Sequence, residues 1–199
     1  MRARGRSESG EVGALGWKRS VAGARPGGGE GVLRVHACAL NSHDLFCLRG
    51  MPGIDIGLPR ILGNDLAGEI QEFGPGAEHG DWLVGDRVLI DPVDGANHLI
   101  SGETRDGGLA EFATVHADQL MRLPESASYA QAAALPVAYG AAYRMLVRRR
   151  RLQACPPVLL PAAPRRLRTP SLPLPNLPGA SVSARPRSPG TPPAQPPPG

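Results

Sequence analysis

Residues 32–40 (VLRVHACAL) alternate with a period of two, which predicts a strand. Leu33, Val35, Ala37 and Ala39 fall on one face; Val32, Arg34, His36 and Cys38 fall on the other. Residues 41–49 predict a short helix, with Asn41 or Ser42 placed to cap it. Short apolar runs then recur between glycines. They are residues 66–73, residues 82–84 entering the Gly85-Asp86 turn, residues 87–90 returning from it, and residues 109–115 after Gly107-Gly108. Strands this short, punctuated by glycine about every ten residues, predict a small antiparallel barrel. Residues 128–146 differ. They are alanine-rich and predict two helical pieces split at Pro136, where the ring deletes a ladder hydrogen bond.

Two stretches carry neither period. Residues 1–30 are rich in Gly and Arg and close on Gly27-Gly28-Gly29. Residues 148–199 hold isolated Leu-Pro steps, whose natural states are polyproline II and disorder. The expected organisation is a disordered or atypical N-terminal segment over 1–30, a folded domain over 31–147 and a disordered Pro/Arg-rich tail over 148–199. The expected fold class is mainly β, a small antiparallel barrel with a few short helices.

Composition sharpens that division. Fifteen of the 22 prolines lie beyond residue 155. Residues 148–199 contain nine arginines and no Asp or Glu, so residues 1–147 keep thirteen basic against eighteen acidic side chains. The overall +4 is therefore a property of the tail, and the domain offers no basic face that would mark a nucleic-acid partner. The three cysteines, Cys38, Cys47 and Cys155, form no Cys-x-x-Cys pair and read as reduced thiols in a cytoplasmic protein. No apolar run reaches the roughly 18 residues a membrane helix needs.

Six stretches, in order, carry a family resemblance: residues 32–53 (VLRVHACALNSHDLFCLRGMPG), 59–70 (PRILGNDLAGEI), 73–77 (FGPGA), 84–90 (VGDRVLI), 107–115 (GGLAEFATV) and 132–146 (AAALPVAYGAAYRML). Together they resemble the GroES-like catalytic domain of alcohol dehydrogenases in the medium-chain dehydrogenase/reductase superfamily. The resemblance implies a barrel that carries substrate residues, beside a Rossmann domain that carries NAD(P). Its usual glycine-rich turn would follow the 132–146 stretch; this sequence continues with RRRRLQACPP and contains no Gly-x-Gly-x-x-Gly. The expectation is a domain truncated before the Rossmann half and inactive alone, with the tail genuine or a product of a shifted reading frame.

The resemblance also bears on metal. Zinc-dependent members have Cys where Asn41 stands and His-Glu where Asn64-Asp65 stand. A carboxamide is a poor zinc donor, so no zinc and no metal ligands are expected. Asn at position 41 is similar to the zinc-free, quinone-oxidoreductase-like branch. That similarity implies catalytic candidates Asn41, His43, Asp44, Asn64 and Asp65, and nicotinamide contacts from Asn41, Ala141 and Tyr143. Asn41 is read either as a site amide or as a helix cap, Asp44 as a supporting carboxylate, and His43 as a solvent-leaning proton relay. Phe46 is read as a core aromatic or pocket wall. The implied reaction is reduction of a small carbonyl, enone or quinone by NAD(P)H, with no nucleic-acid or membrane partner and self-association left open. The competing reading is a non-catalytic binding protein that uses the barrel as scaffold and the Pro-rich tail as a ligand segment.

Overall fold

The computed structural model describes residues 1–8, 10–18, 23–76, 79–144, 158–161 and 182–185. It divides into two compact units, Met1–Val137 and Ala138–Gly199, each described by itself.

The first unit is mainly β. Strand β1 (Ala3–Arg6) pairs antiparallel with β2 (Leu15–Lys18). Strand β3 (Glu30–Ala39) leads into helix α1 (Ser42–Arg49), followed by β4 (Arg60–Ile61) and β5 (Asp65–Phe73). Then come β6 (Arg87–Ile90), the short β7 (Val93–Asp94) and β8 (Leu99–Ile100), β9 (Phe112–His116), β10 (Leu120–Arg122) and helix α2 (Tyr129–Ala133). The main sheet is antiparallel in the order β10-β6-β5-β3-β9, and a second sheet runs β2-β1-β4. Residues 109–111 stitch the two together: Arg4 N–H donates to the Leu109 carbonyl, Glu111 N–H to Arg2, and Val35 N–H to Glu111. The sheets thus curl into the expected small barrel.

Leu33, Leu66, Ile70, Val88, Ile90 and Val115 fill the barrel interior. Burying each is worth about 1.5–3 kcal/mol. Cys47, Leu48, Ile56 and Leu62 form a second cluster involving α1, and Ala67, Leu123, Ala132 and Ala133 a third involving α2. Strand β3 keeps its alternation only in part. The register slips at Val32/Leu33 and again at Val35/Ala37, so Val32 and Leu33 are both buried. Gly68 is what lets β5 lie close to β3 there, because a Cβ would run into the Arg34 carbonyl oxygen.

Several expectations need correction. Residues 1–30 are not without regular structure: β1 and β2 form a hairpin within them. Beyond β2, the partners of β1 lie far along the chain, at Arg60-Ile61 and residues 109–111, and no local period announces it. Residues 82–84 form no strand. The Asp86 carboxylate and backbone N–H bond back to Leu83, and Gly85 takes φ +92°, which makes the segment a turn. Phe46 is no core aromatic: it is 53% exposed.

The split at Pro136 occurs as a fresh start. Ser128 caps α2, and Pro136 opens helix α3 (Pro136–Tyr143), where its missing N–H costs nothing. In the second unit, β11 (Val158–Pro161) pairs in parallel with β12 (Val182–Arg185), where the sequence predicted no strand. The Val158-Leu159-Leu160 run is free of proline and can supply a ladder. The rest of the predicted disordered tail, with Cys155, lies outside the described residues.

Candidate functional site

The sequence candidates converge where β3 ends, α1 begins and β5 begins. Asn41 is the N-cap of α1 and forms a capping box with Asp44 at N3. Asp44 Oδ2 accepts the Asn41 N–H at 2.6 Å. The Asn41 Nδ2 donates to Asp65 Oδ2 at 2.9 Å. Asp65 also accepts the Val137 N–H, at 3.2 and 3.1 Å to its two oxygens. Asp44 Oδ1 accepts the Gly63 N–H at 3.1 Å. Gly63 sits at φ +104°, and a Cβ there would meet Cys38 Sγ at 2.6 Å and Leu109 N at 2.9 Å, so only glycine fits. Asn64 turns away from Asn41: its Nδ2 donates to the Ser101 carbonyl at 2.6 Å, and its Oδ1 is buried without a partner.

Asp44, Asn64 and Asp65 are all buried. Burial pushes the Asp65 carboxyl up to about 6, against the hydrogen bonds from Asn41 and Val137 that oppose the rise. Burial also raises Asp44 above the usual carboxylate range, with the Asn41 and Gly63 N–H groups pulling the other way. Burial lifts the neighbouring Cys38 thiol to about 12. The corner therefore holds a donor amide, an orienting carboxyl with an elevated pKa and a second carboxyl that locks the helix start. One N–H of each amide is taken by an oxygen acceptor, Asp65 for Asn41 and the Ser101 carbonyl for Asn64, and neither position supplies a thiolate or imidazole.

His43 faces a carboxylate. It is half-buried, and its Nε2 lies 2.8 Å from Glu103 Oε2 rather than leaning to solvent. Cys47, one turn along α1, completes a group of three whose ligand atoms lie within 4.8 Å of one another. The His43-x-x-x-Cys47 spacing was visible in the sequence as one helix face; Glu103, sixty positions on, carried no signal. Ala141 and Tyr143 lie on α3 in the second unit, both exposed. A groove of about 490 Å³ opens between β1, Trp17 of β2, His36 and Cys38 of β3, and residues 108–111. It includes none of the five catalytic candidates.

A nicotinamide dinucleotide needs a cradle of free N–H groups for its diphosphate. Among the described residues, the glycine run 27–29 does not offer one: it enters β3 rather than a helix, and the Glu30 carboxylate already takes the Gly27 N–H at 2.8 Å. No helix among the described residues is long and apolar enough to cross a membrane.

Comparison with known proteins gives a consistent picture. Residues 27–125 match the alcohol dehydrogenase GroES-like domain. A zinc-type alcohol dehydrogenase-like protein of Schizosaccharomyces pombe is 34% identical over 117 residues, covering 55% of this chain and 34% of that protein. The quinone oxidoreductase of Pongo abelii is 30% identical over 134 residues, covering 67% of this chain and 37% of its own. The crystal structure of an NAD-dependent alcohol dehydrogenase superposes with a TM-score of 0.84 at 29% identity, over 94% of this chain and 58% of that one. The chain spans about a third of the length of the curated relatives it matches.

Proposed function

Because the chain belongs to the medium-chain dehydrogenase/reductase superfamily through its GroES-like domain, we propose that it supplies the substrate side of a zinc-independent NAD(P)H-dependent reductase acting on a small quinone, enone or carbonyl. The observation that carries this reading is the Asn41–Asp65 pair. A carboxamide has two N–H groups, and Asp65 takes one of them. The second is left to donate to a substrate oxygen. A nicotinamide held opposite this corner would supply the hydride.

What this chain contributes is electrostatic and positional. Hydride addition to a conjugated carbonyl develops charge on its oxygen, and a pre-oriented amide stabilises that charge without a Lewis acid. Asp65 fixes the plane of the Asn41 amide. Its elevated pKa, about 6, also lets it carry a proton close to neutral pH. Asp44 is a positioning residue: it holds the Asn41 backbone and the Gly63 turn in place. Asn64 braces β5 against the loop at Ser101, and His43 serves Glu103 rather than the corner. Ala141 and Tyr143 are proposed nicotinamide contacts, with the diphosphate cradle supplied outside the described residues. The free thiols of Cys38 and Cys47 fit a reducing compartment such as the cytoplasm.

The chain alone should show no steady NAD(P)H oxidation with quinones or enones. Joined in one polypeptide to the cofactor-binding half of a quinone oxidoreductase, it should reduce them. Asn41→Ala should then lower kcat about ten- to hundredfold with KM for NAD(P)H unchanged. Full activity in that variant would remove the basis of the proposal.

A further inference from the structure

The three side chains His43, Cys47 and Glu103 take no part in the Asn41–Asp65 corner and do not depend on the reaction assigned to it. His43 and Cys47 are four residues apart on α1 and so share one face of the helix. Glu103 reaches them from the loop after β8. Cys47 is fully buried and Glu103 is 4% exposed. His43 Nε2 is shut off from solvent and makes no hydrogen bond, although Glu103 Oε2 lies only 2.8 Å away. A buried imidazole nitrogen, a buried thiol and a buried carboxylate, all turned to one point, form an unusual set for a protein core. Each is costly to bury without a partner.

We propose that His43, Cys47 and Glu103 bind a late first-row divalent cation, zinc foremost, which clips α1 to the loop after β8. The donor set favours such an ion. Imidazole nitrogen and thiolate suit zinc and its neighbours and disfavour magnesium and calcium, which take oxygen. Bond lengths of about 2.0–2.3 Å around a tetrahedral zinc put its ligand atoms roughly 3.3–3.6 Å from one another. The three atoms here span separations from 2.8 Å to no more than 4.8 Å, so modest side-chain rotation brings them into range. Charge also matches. A neutral imidazole, a thiolate and a carboxylate carry two negative charges against the two positive charges of the ion, with the thiol proton released to solvent on binding.

The site is separate from Asn41 and Asn64, where relatives of the zinc-dependent kind would hold their metal. It also ties together two segments the corner depends on. Helix α1 carries Asp44, and the loop after β8 carries Ser101, which receives the Asn64 amide. A bound ion should therefore raise the thermal midpoint of the full chain.

The test uses the full chain, stripped with a chelator and titrated with Co(II). One cobalt per chain is expected, with a near-ultraviolet thiolate-to-cobalt charge-transfer band and strong tetrahedral visible bands, all abolished by Zn(II) and accompanied by a higher Tm. Cys47→Ser should remove the charge-transfer band, whereas Cys38→Ser and Cys155→Ser should retain it. Glu103→Gln, close in size and shape, should weaken cobalt binding at least about tenfold with far-ultraviolet circular dichroism unchanged. The proposal is overturned if the full chain takes up no cobalt, if the band survives Cys47→Ser, or if Glu103→Gln leaves the affinity unmoved.

Discussion

The first unit contains two buried polar clusters that solve the same problem in opposite ways. In one, the Arg105 guanidinium donates to Asp94 at 3.0 Å, Glu30 at 2.6 Å, Thr114 at 3.3 Å and Gln119 at 3.4 Å. Burial works to raise the Asp94 carboxyl, but the Asn97 side-chain and backbone N–H groups and then Arg105 outweigh it and hold Asp94 below the usual range. In the other, Asp44 and Asp65 are as deeply buried, but N–H groups carry their hydrogen bonds, and both carboxyls are pushed upward instead. The first cluster sets one guanidinium between two carboxylates and pins residues 94–105 to the barrel. The second retains a carboxyl that titrates near neutrality and an amide with an unspent N–H. One cluster rests on a cation and the other on N–H groups, and that difference sets the opposite directions of their carboxyls.

The largest effect comes from breaking the Arg105 cluster. Arg105→Met leaves Asp94, fully buried, without its cation, and should cost about 3–5 kcal/mol, read as a lower urea midpoint. Adding Asp94→Asn to that variant should recover part of the loss, because the orphaned charge goes with it.

Next is Gly63→Ala, which attacks the corner through its backbone. The added Cβ meets Cys38 Sγ at 2.6 Å and Gly108 N at 3.1 Å at a φ of +104°. The expected loss is roughly 2–4 kcal/mol, again by urea unfolding, with activity of the joined enzyme lost disproportionately as Asp44 loses its N–H partner.

The smallest and most discriminating change is Asp65→Asn. The folded-state pKa of Asp65, about 6, lies above its ordinary 3.8. Between those values the folded chain binds more protons than the unfolded chain, so this group's contribution to stability falls as pH rises from about 4 to about 6. Above that window the burial of its charge is a standing cost. Asp65→Asn should therefore change stability at pH 7 by about 1 kcal/mol or less and flatten the decline of Tm across the window. A wild-type Tm that climbs through that range on account of Asp65 would reverse the assignment.

Much of this was legible in the sequence, for identifiable reasons. Strand β5 and helix α1 follow from local apolar periods and a cap residue, and both form close to their predicted bounds. Asn41, Asp44 and Asp65 were named from motif position, and hydrogen bonds join them. Strand β1 was not legible because Arg-Gly-Arg carries no strand period and its second edge is covered by residues 60–61, more than 50 positions away. The residue 82–84 segment misled because Trp82, Leu83 and Val84 are apolar yet serve a turn, with Leu83 67% and Val84 63% exposed. Glu103 escaped notice because a lone acidic residue in a loop acquires meaning only when folding brings α1 to it.

The way β1 is secured has a consequence for how this chain is made. Its first residues emerge from the ribosome first, yet Arg2 to Arg6 have no complete set of partners until residues 60–61 and 109–111 have been synthesised. Until then one edge of the hairpin is unpaired, open to other chains and to chaperones. An affinity tag fused directly to Met1 would extend that waiting edge and crowd the Arg2–Glu111 contact that closes it. A tag placed elsewhere, or spaced by a flexible polar linker, should yield more soluble protein from the same gene.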